Sequence, residues 1–179
     1  MAEKKRKLGT SEIGFLIDDY DYIFSDFDPR PFSSRALSDD FLIEARKASK
    51  DKKTGNIKLS FLIPKKNRKL KEEETIKRRL KAHFEKHEEQ SKRDYQKMLR
   101  HGIFFLVLGT LIMFAAAFVL FKFPGQNFVE NFFVLMLEPA GWFLFWSGLD
   151  LMIFKSKEVK PTFEFYKKMA NAEIYFQNN

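Results

Sequence analysis

The chain contains no cysteine. Disulfides, thiolate metal sites and cysteine nucleophiles are therefore excluded, and a reducing compartment fits. Glycine and proline are sparse, eight and six in 179 residues, and residues 66–100 contain neither. A P-loop, a dinucleotide-binding glycine fingerprint and a serine nucleophile elbow are all missing. No apolar run of signal-peptide length follows the basic start Lys4-Lys5-Arg6-Lys7, so no cleaved leader is expected. That cluster reads as a cytosolic basic tail more readily than as a nuclear signal.

Charge is present in quantity but unevenly spread. The chain carries 32 Lys+Arg against 24 Asp+Glu, a net +8. Residues 65–101 alone hold 14 basic and 7 acidic side chains, whereas residues 102–154 carry Lys122 against Glu130, Glu138 and Asp150. A soluble domain seldom segregates charge from apolar sequence in this way.

Two apolar blocks result. Residues 102–121 contain no charge and supply the roughly 20 residues a helix needs to cross a bilayer. A short turn with Pro124-Gly125 follows, within an external loop at 122–131. Residues 132–154 form a second block of spanning length. Lys92, Arg93, Lys97 and Arg100 lead into the first block, and Lys155, Lys157 and Lys160 follow the second. Positive flanks stay inside. Both termini are thus expected in the cytosol of a plasma or inner membrane, with the hairpin tip outside. Gly102, Gly109 and Ala116 recur every seven residues, as do Gly141 and Gly148. Such positions would let two helices approach closely, with Gly109 and Gly148 expected at similar depth.

The first part of the chain reads as a flexible tail (1–19) and a small β-α-β module (20–64). Asp21 to Asp28 is expected as a strand ended by Pro29 and Pro31. Ser33, Ser34 and Ser38 are capping candidates for a helix opening at Asp39-Asp40. After a turn at 51–56, Ile57 to Ile63 reads as a second strand stopped by Pro64. Two strands are marginal alone, so a following helix or a neighbouring subunit must complete the core. Residues 65–101 are expected to form that helix, with Ile76, Leu80 and Phe84 as its apolar stripe, and to run on as a basic stalk into the first span. Glu73-Lys77 and Glu74-Arg78 have the spacing of solvated helix pairs. The stalk's last turns are expected to touch anionic head groups. The tail 155–179 mixes lysines with aromatics, a weak interfacial-helix pattern.

Few residues tempt a chemical reading. Asp26-Phe27-Asp28 spaces two carboxylates as a divalent-cation site does, but Arg30 stands where a phosphotransferase pattern continues with Thr or Val. A turn at Asp28-Pro29 is favoured. His83 and His87 share a helix face but lack the Glu of H-E-x-x-H, and two ligands do not make a zinc site. A solvated pair is expected. Glu138 followed by Pro139 and Trp142 is the strongest feature, because an ionisable residue within a span marks function by default. Its nearness to the outer interface allows the simpler reading that it reaches water. Asp150 is expected to pair with Lys155 or Lys157.

The reading is a two-span helical hairpin bearing a small cytosolic α+β module, with no enzyme chemistry, cofactor or metal. It would anchor a protein-interaction or self-assembly module at the membrane, with anionic lipids, its own copies or another protein as partners. An oligomeric pore lined by Glu138 is the alternative. Nucleic acid is disfavoured, for the basic stalk lacks interleaved aromatics.

Overall fold

The computed structural model describes residues 12–52, 57–122 and 127–179. The chain divides into two compact units, residues 1–89 with 164–179 and residues 90–163. The described residues are mostly helical, with one three-stranded sheet and two helices long and apolar enough to cross a membrane.

The first unit is built on a parallel sheet in the order β1-β2-β3, with β1 at Glu12–Leu16, β2 at Lys58–Ile63 and β3 at Glu173–Asn178. Leu59 lies opposite Ile13 and Ile174, and Phe61 opposite Phe15 and Phe176. The three phenylalanine rings form a ladder, 5.8 Å between the first two and 5.1 Å between the second two. Parallel neighbours need crossovers, and crossovers are right-handed. Because the strand order runs steadily from β1 to β3, both crossovers fall on one face. The helices accordingly pack on the phenylalanine face. α1 (Asp39–Lys50) sets Phe41 against Phe15 and Phe61. The first turns of α2 (Leu70–Lys122) bury Ile76, Leu80 and Phe84 completely. The last turns of α4 (Ser156–Ala170) bury Phe165 and Met169. Among the described residues no helix covers the opposite face, where Leu16 and Tyr175 are exposed.

α1 forms as its sequence suggests. Asp39 and Asp40 open it, Lys47 and Lys50 close it, and Phe41, Ala45 and Ser49 fall inward at four-residue spacing, in keeping with the macrodipole. Ser38 takes the N-cap position without a side-chain cap bond. At the other end Lys168 of α4 donates to the carbonyls of Ser49 and Lys52.

Three expectations need correction. Residues 21–28 are not a strand: Tyr20–Ile23 is a 3-10 turn, and Phe24 makes only an isolated antiparallel bridge to Leu37. The buried residues are Tyr20, Ile23 and Phe24, a helical spacing of three and four that the apolar count hides. Residues 12–16, placed in a flexible tail, are instead the first strand. The tail after 155 is not an interfacial appendage, since it supplies α4 and the third strand. The turn expected at 51–56 lies partly, and Lys4–Lys7 and Pro124-Gly125 wholly, outside the described residues.

A buried ionic network pins the start of α2. Glu73, 3 % exposed, receives Arg68 Nε and Nη2 at 2.8 Å and the Tyr20 hydroxyl at 3.0 Å. The Tyr20 hydroxyl also accepts from the Lys69 amide at 2.9 Å. Glu73 is therefore no solvated partner of Lys77, which pairs with Glu74 instead at 3.0 Å.

Candidate functional site in the helical hairpin

The second unit contains the later part of α2, α3 (Phe128–Asp150), a π-helical turn at Leu151–Lys155 and the start of α4. Leu70–Lys122 and Asn131–Ala170 each contain a stretch long and apolar enough to cross a membrane, and little of either stretch is buried. Phe104, Leu111, Phe114, Phe118, Phe133 and Phe143 are all exposed. An exposed apolar surface of this extent marks contact with a membrane or a partner.

Within this second unit the buried positions of α2 and α3, among the described residues, form one seam. They are Gly102, Gly109 and Ala116 on α2 and Val134, Gly141 and Gly148 on α3, each set at seven-residue spacing. A methyl group placed on Gly109 would lie 2.5 Å from the Phe145 nitrogen and 2.6 Å from the Gly141 carbonyl oxygen. One on Gly148 would lie 2.6 Å from the Gly102 oxygen and 2.7 Å from the Leu106 nitrogen. Backbone meets backbone at both places. The pairing differs from expectation: Gly109 lies opposite Gly141, and Gly148 opposite Gly102. The register is therefore shifted along α3 by about one heptad from the expected one, with Gly141 rather than Gly148 beside Gly109. A seven-residue repeat is also the one that keeps two helices in contact along their length.

Glu138 is exposed and lines a cavity of about 320 Å³ with Met113, Leu135, Pro139 and Trp142. Pro139 removes one helical amide, and Trp142 stacks on Phe145 and Trp146 at 6.1 and 6.2 Å. Among the described residues Glu138 is the only ionisable side chain lining this otherwise apolar recess. Asp150 ends α3 and makes no cap bond to the turn that follows. It does not pair with Lys155, whose Nζ lies 3.7 Å from Glu158. Lys92, Arg93, Lys97 and Arg100 are exposed on α2, as are Lys155 and Lys157 beyond α3. Tyr95 stacks on Phe163 at 6.0 Å, so the stalk is not polar all round.

The remaining sequence candidates resolve differently. Asp28 is a turn device: Arg30 forks onto its carboxylate at 2.7 and 2.8 Å, and the Ala36 amide donates at 2.6 Å. These bonds, Arg30 first, hold its carboxyl well below the usual range. Both oxygens are thereby engaged without a cation. His83 and His87 are not a solvated pair. Their rings lie 4.2 Å apart, and Tyr166 stacks on His87 at 5.1 Å. Burial, then the charges of His87, Arg79 and Lys86, lowers His83 to about 4. Among the described residues no three His, Cys, Asp or Glu side chains gather to hold a metal. No local sequence pattern singled out the seam's register, β1 or β3, though the spacing of Val134 from Gly141 and Gly148 pointed to the first.

The sequence matches no protein-family model, no curated protein and no solved structure, and the site stands on its own geometry.

Proposed function

We propose that this chain is a two-pass membrane anchor that presents its α/β unit as a non-enzymatic interaction and self-assembly module in the cytosol. The observation that carries the reading is the sheet itself. β2 precedes both apolar helices, β3 follows them, and the two strands are adjacent in one sheet. Neighbouring strands share a compartment, so the intervening chain must cross an even number of times. Two crossings match the two long apolar helices. The exposed Lys92, Arg93, Lys97 and Arg100 before the first apolar helix and Lys155 and Lys157 after the second support a cytosolic side for the sheet, since positive flanks stay inside. Each such residue adds about 1 kcal/mol of attraction to an anionic surface. Alkaline extraction of membranes from expressing cells tests the reading: the protein stays in the lipid pellet, and its release into the supernatant would sink it.

A second reading is favoured by the cavity at Glu138. In this version hairpins assemble around a pathway that Glu138 lines, with the α/β unit as gate. Ion flux in proteoliposomes that is unchanged by Glu138→Gln would rule it out.

A further inference from the structure

We infer that β3 is a dimerisation edge, joining two copies of this chain into one continuous six-stranded sheet. The inference deepens the self-assembly part of the proposed function by naming the partner, a second copy, and the strand it pairs with.

The backbone phase comes first. The Glu173 amide donates to the Ile57 carbonyl and the Asn179 amide to the Ile63 carbonyl. In a parallel ladder alternate residues bond to one side. Residues 173, 175, 177 and 179 thus face β2, and Ile174, Phe176 and Asn178 turn their amides and carbonyls outward. β3 is the last strand of the sheet, so no described strand meets them. An open row of this kind is normally guarded by lysine, proline or a bulge. β3 has none: its sequence is Glu-Ile-Tyr-Phe-Gln-Asn, and its register with β2 runs unbroken from Glu173 to Asn178.

The side chains then choose the occupant. A two-fold axis through Tyr175, perpendicular to the sheet, sets Ile174 opposite Phe176 of the second copy. These are the outward-bonding residues, so the apolar pair and the hydrogen-bonded pair coincide. Ile174 and Phe176 both lie on the helix-covered face, and the pairing continues the phenylalanine ladder's layer across the join. On the open face Glu173, the only charge in β3, meets Gln177 of the second copy, and like charges are kept apart. Tyr175 meets its own counterpart as a non-hydrogen-bonded pair, with Cα atoms about 4.5 Å apart. A strand that complements itself about a point in phase, face and charge fits a copy of itself. The other edge is poorer. There the outward residues are Glu12, Gly14 and Leu16, and a two-fold at Gly14 sets a carboxylate against leucine.

The absence of cysteine makes the test direct. Tyr175→Cys in the full-length protein, in native membranes and in mild detergent, is oxidised and run on a denaturing gel. A 4.5 Å pair lies within disulfide range, so the band is expected to double in mass and to collapse on reduction. Glu173→Cys and Gln177→Cys are expected to cross-link when mixed and not singly. Gly14→Cys is expected to stay monomeric. A folded Tyr175→Cys protein that remains monomeric overturns the inference, and so does a Gly14→Cys dimer of equal yield, which would assign β1. Cross-linking in detergent does not depend on membrane crossing. Release by alkali with the disulfide intact would therefore refute the anchor and leave the edge standing.

Discussion

At the scale of single residues the most exacting demand is made by Glu73. Its carboxylate is buried and satisfied by Arg68 and Tyr20, with Arg68, the larger cause, holding it below the usual carboxyl range. Removing one member of a buried pair leaves an uncompensated charge. Glu73→Gln is expected to cost about 3 kcal/mol, the low end for such pairs, because Arg68 keeps some contact with water. Urea melts followed by circular dichroism check this. The sign with pH follows from the lowered value: Glu73's contribution is complete above the ordinary carboxyl pKa and is lost as pH falls through the folded one. His83 acts at higher pH. Folded, it is lowered to about 4 from 6.5, so the unfolded chain takes up the proton first. Stability is expected to fall as pH drops from about 6.5 to about 4, and His83→Phe to flatten that window. His87 is also lowered, by burial and then by Lys86 and Arg79. It accounts for what slope survives in the variant.

At the scale of elements the glycine seam makes an ordered prediction. Gly109→Ala and Gly148→Ala would drive a methyl group into the facing backbone, whereas at Gly102 the nearest atom is the flexible Met152 Cγ at 2.8 Å. The first two are expected to cost about 2 kcal/mol each, in line with overpacking of a tight contact, and Gly102→Ala clearly less. Thermal melts of the three variants in one detergent give the order. Equal losses at all three would contradict the seam. Legibility in the sequence varied with the physics of each element. The long helix of residues 70–122 was plain, because thirty-five residues without glycine or proline ran into an uncharged block. Ile76, Leu80 and Phe84 were plain for the same reason, their period being helical. The five residues of β1 carry a glycine and one charge and look like tail. β3 is legible only as half of a pairing with a strand more than a hundred residues earlier, a relation no local pattern encodes. Asp21–Asp28 misled because apolar residues at spacings of three and four imitate a strand when aspartates fall between them. At the site, Glu138 and the glycines announced themselves by type, but the seam's register depends on where the hairpin turns.

At the scale of the whole molecule the sheet closes around a long insertion. The crossover from β2 to β3 contains both apolar helices, so the first unit cannot be complete until the chain has returned. Truncation after Lys160 removes Phe165, Met169 and β3 together. It is expected to unfold the remaining sheet rather than release a soluble module, seen as loss of protease resistance at residues 12–63. Orientation should depend on the basic flank: replacing Lys92, Arg93, Lys97 and Arg100 with Gln is expected to lower the fraction inserted with the sheet inside.

The central claim, two crossings with the sheet on the cytosolic side, is tested most directly by single cysteines in this cysteine-free chain. Lys50→Cys, Asn127→Cys and Asn179→Cys are treated in intact cells with a membrane-impermeant maleimide, then again after permeabilisation. The account predicts that Asn127→Cys reacts from outside and that Lys50→Cys and Asn179→Cys react only once the membrane is opened. Lys50→Cys and Asn179→Cys labelling on opposite sides, or Asn127→Cys reacting only after permeabilisation, would contradict it.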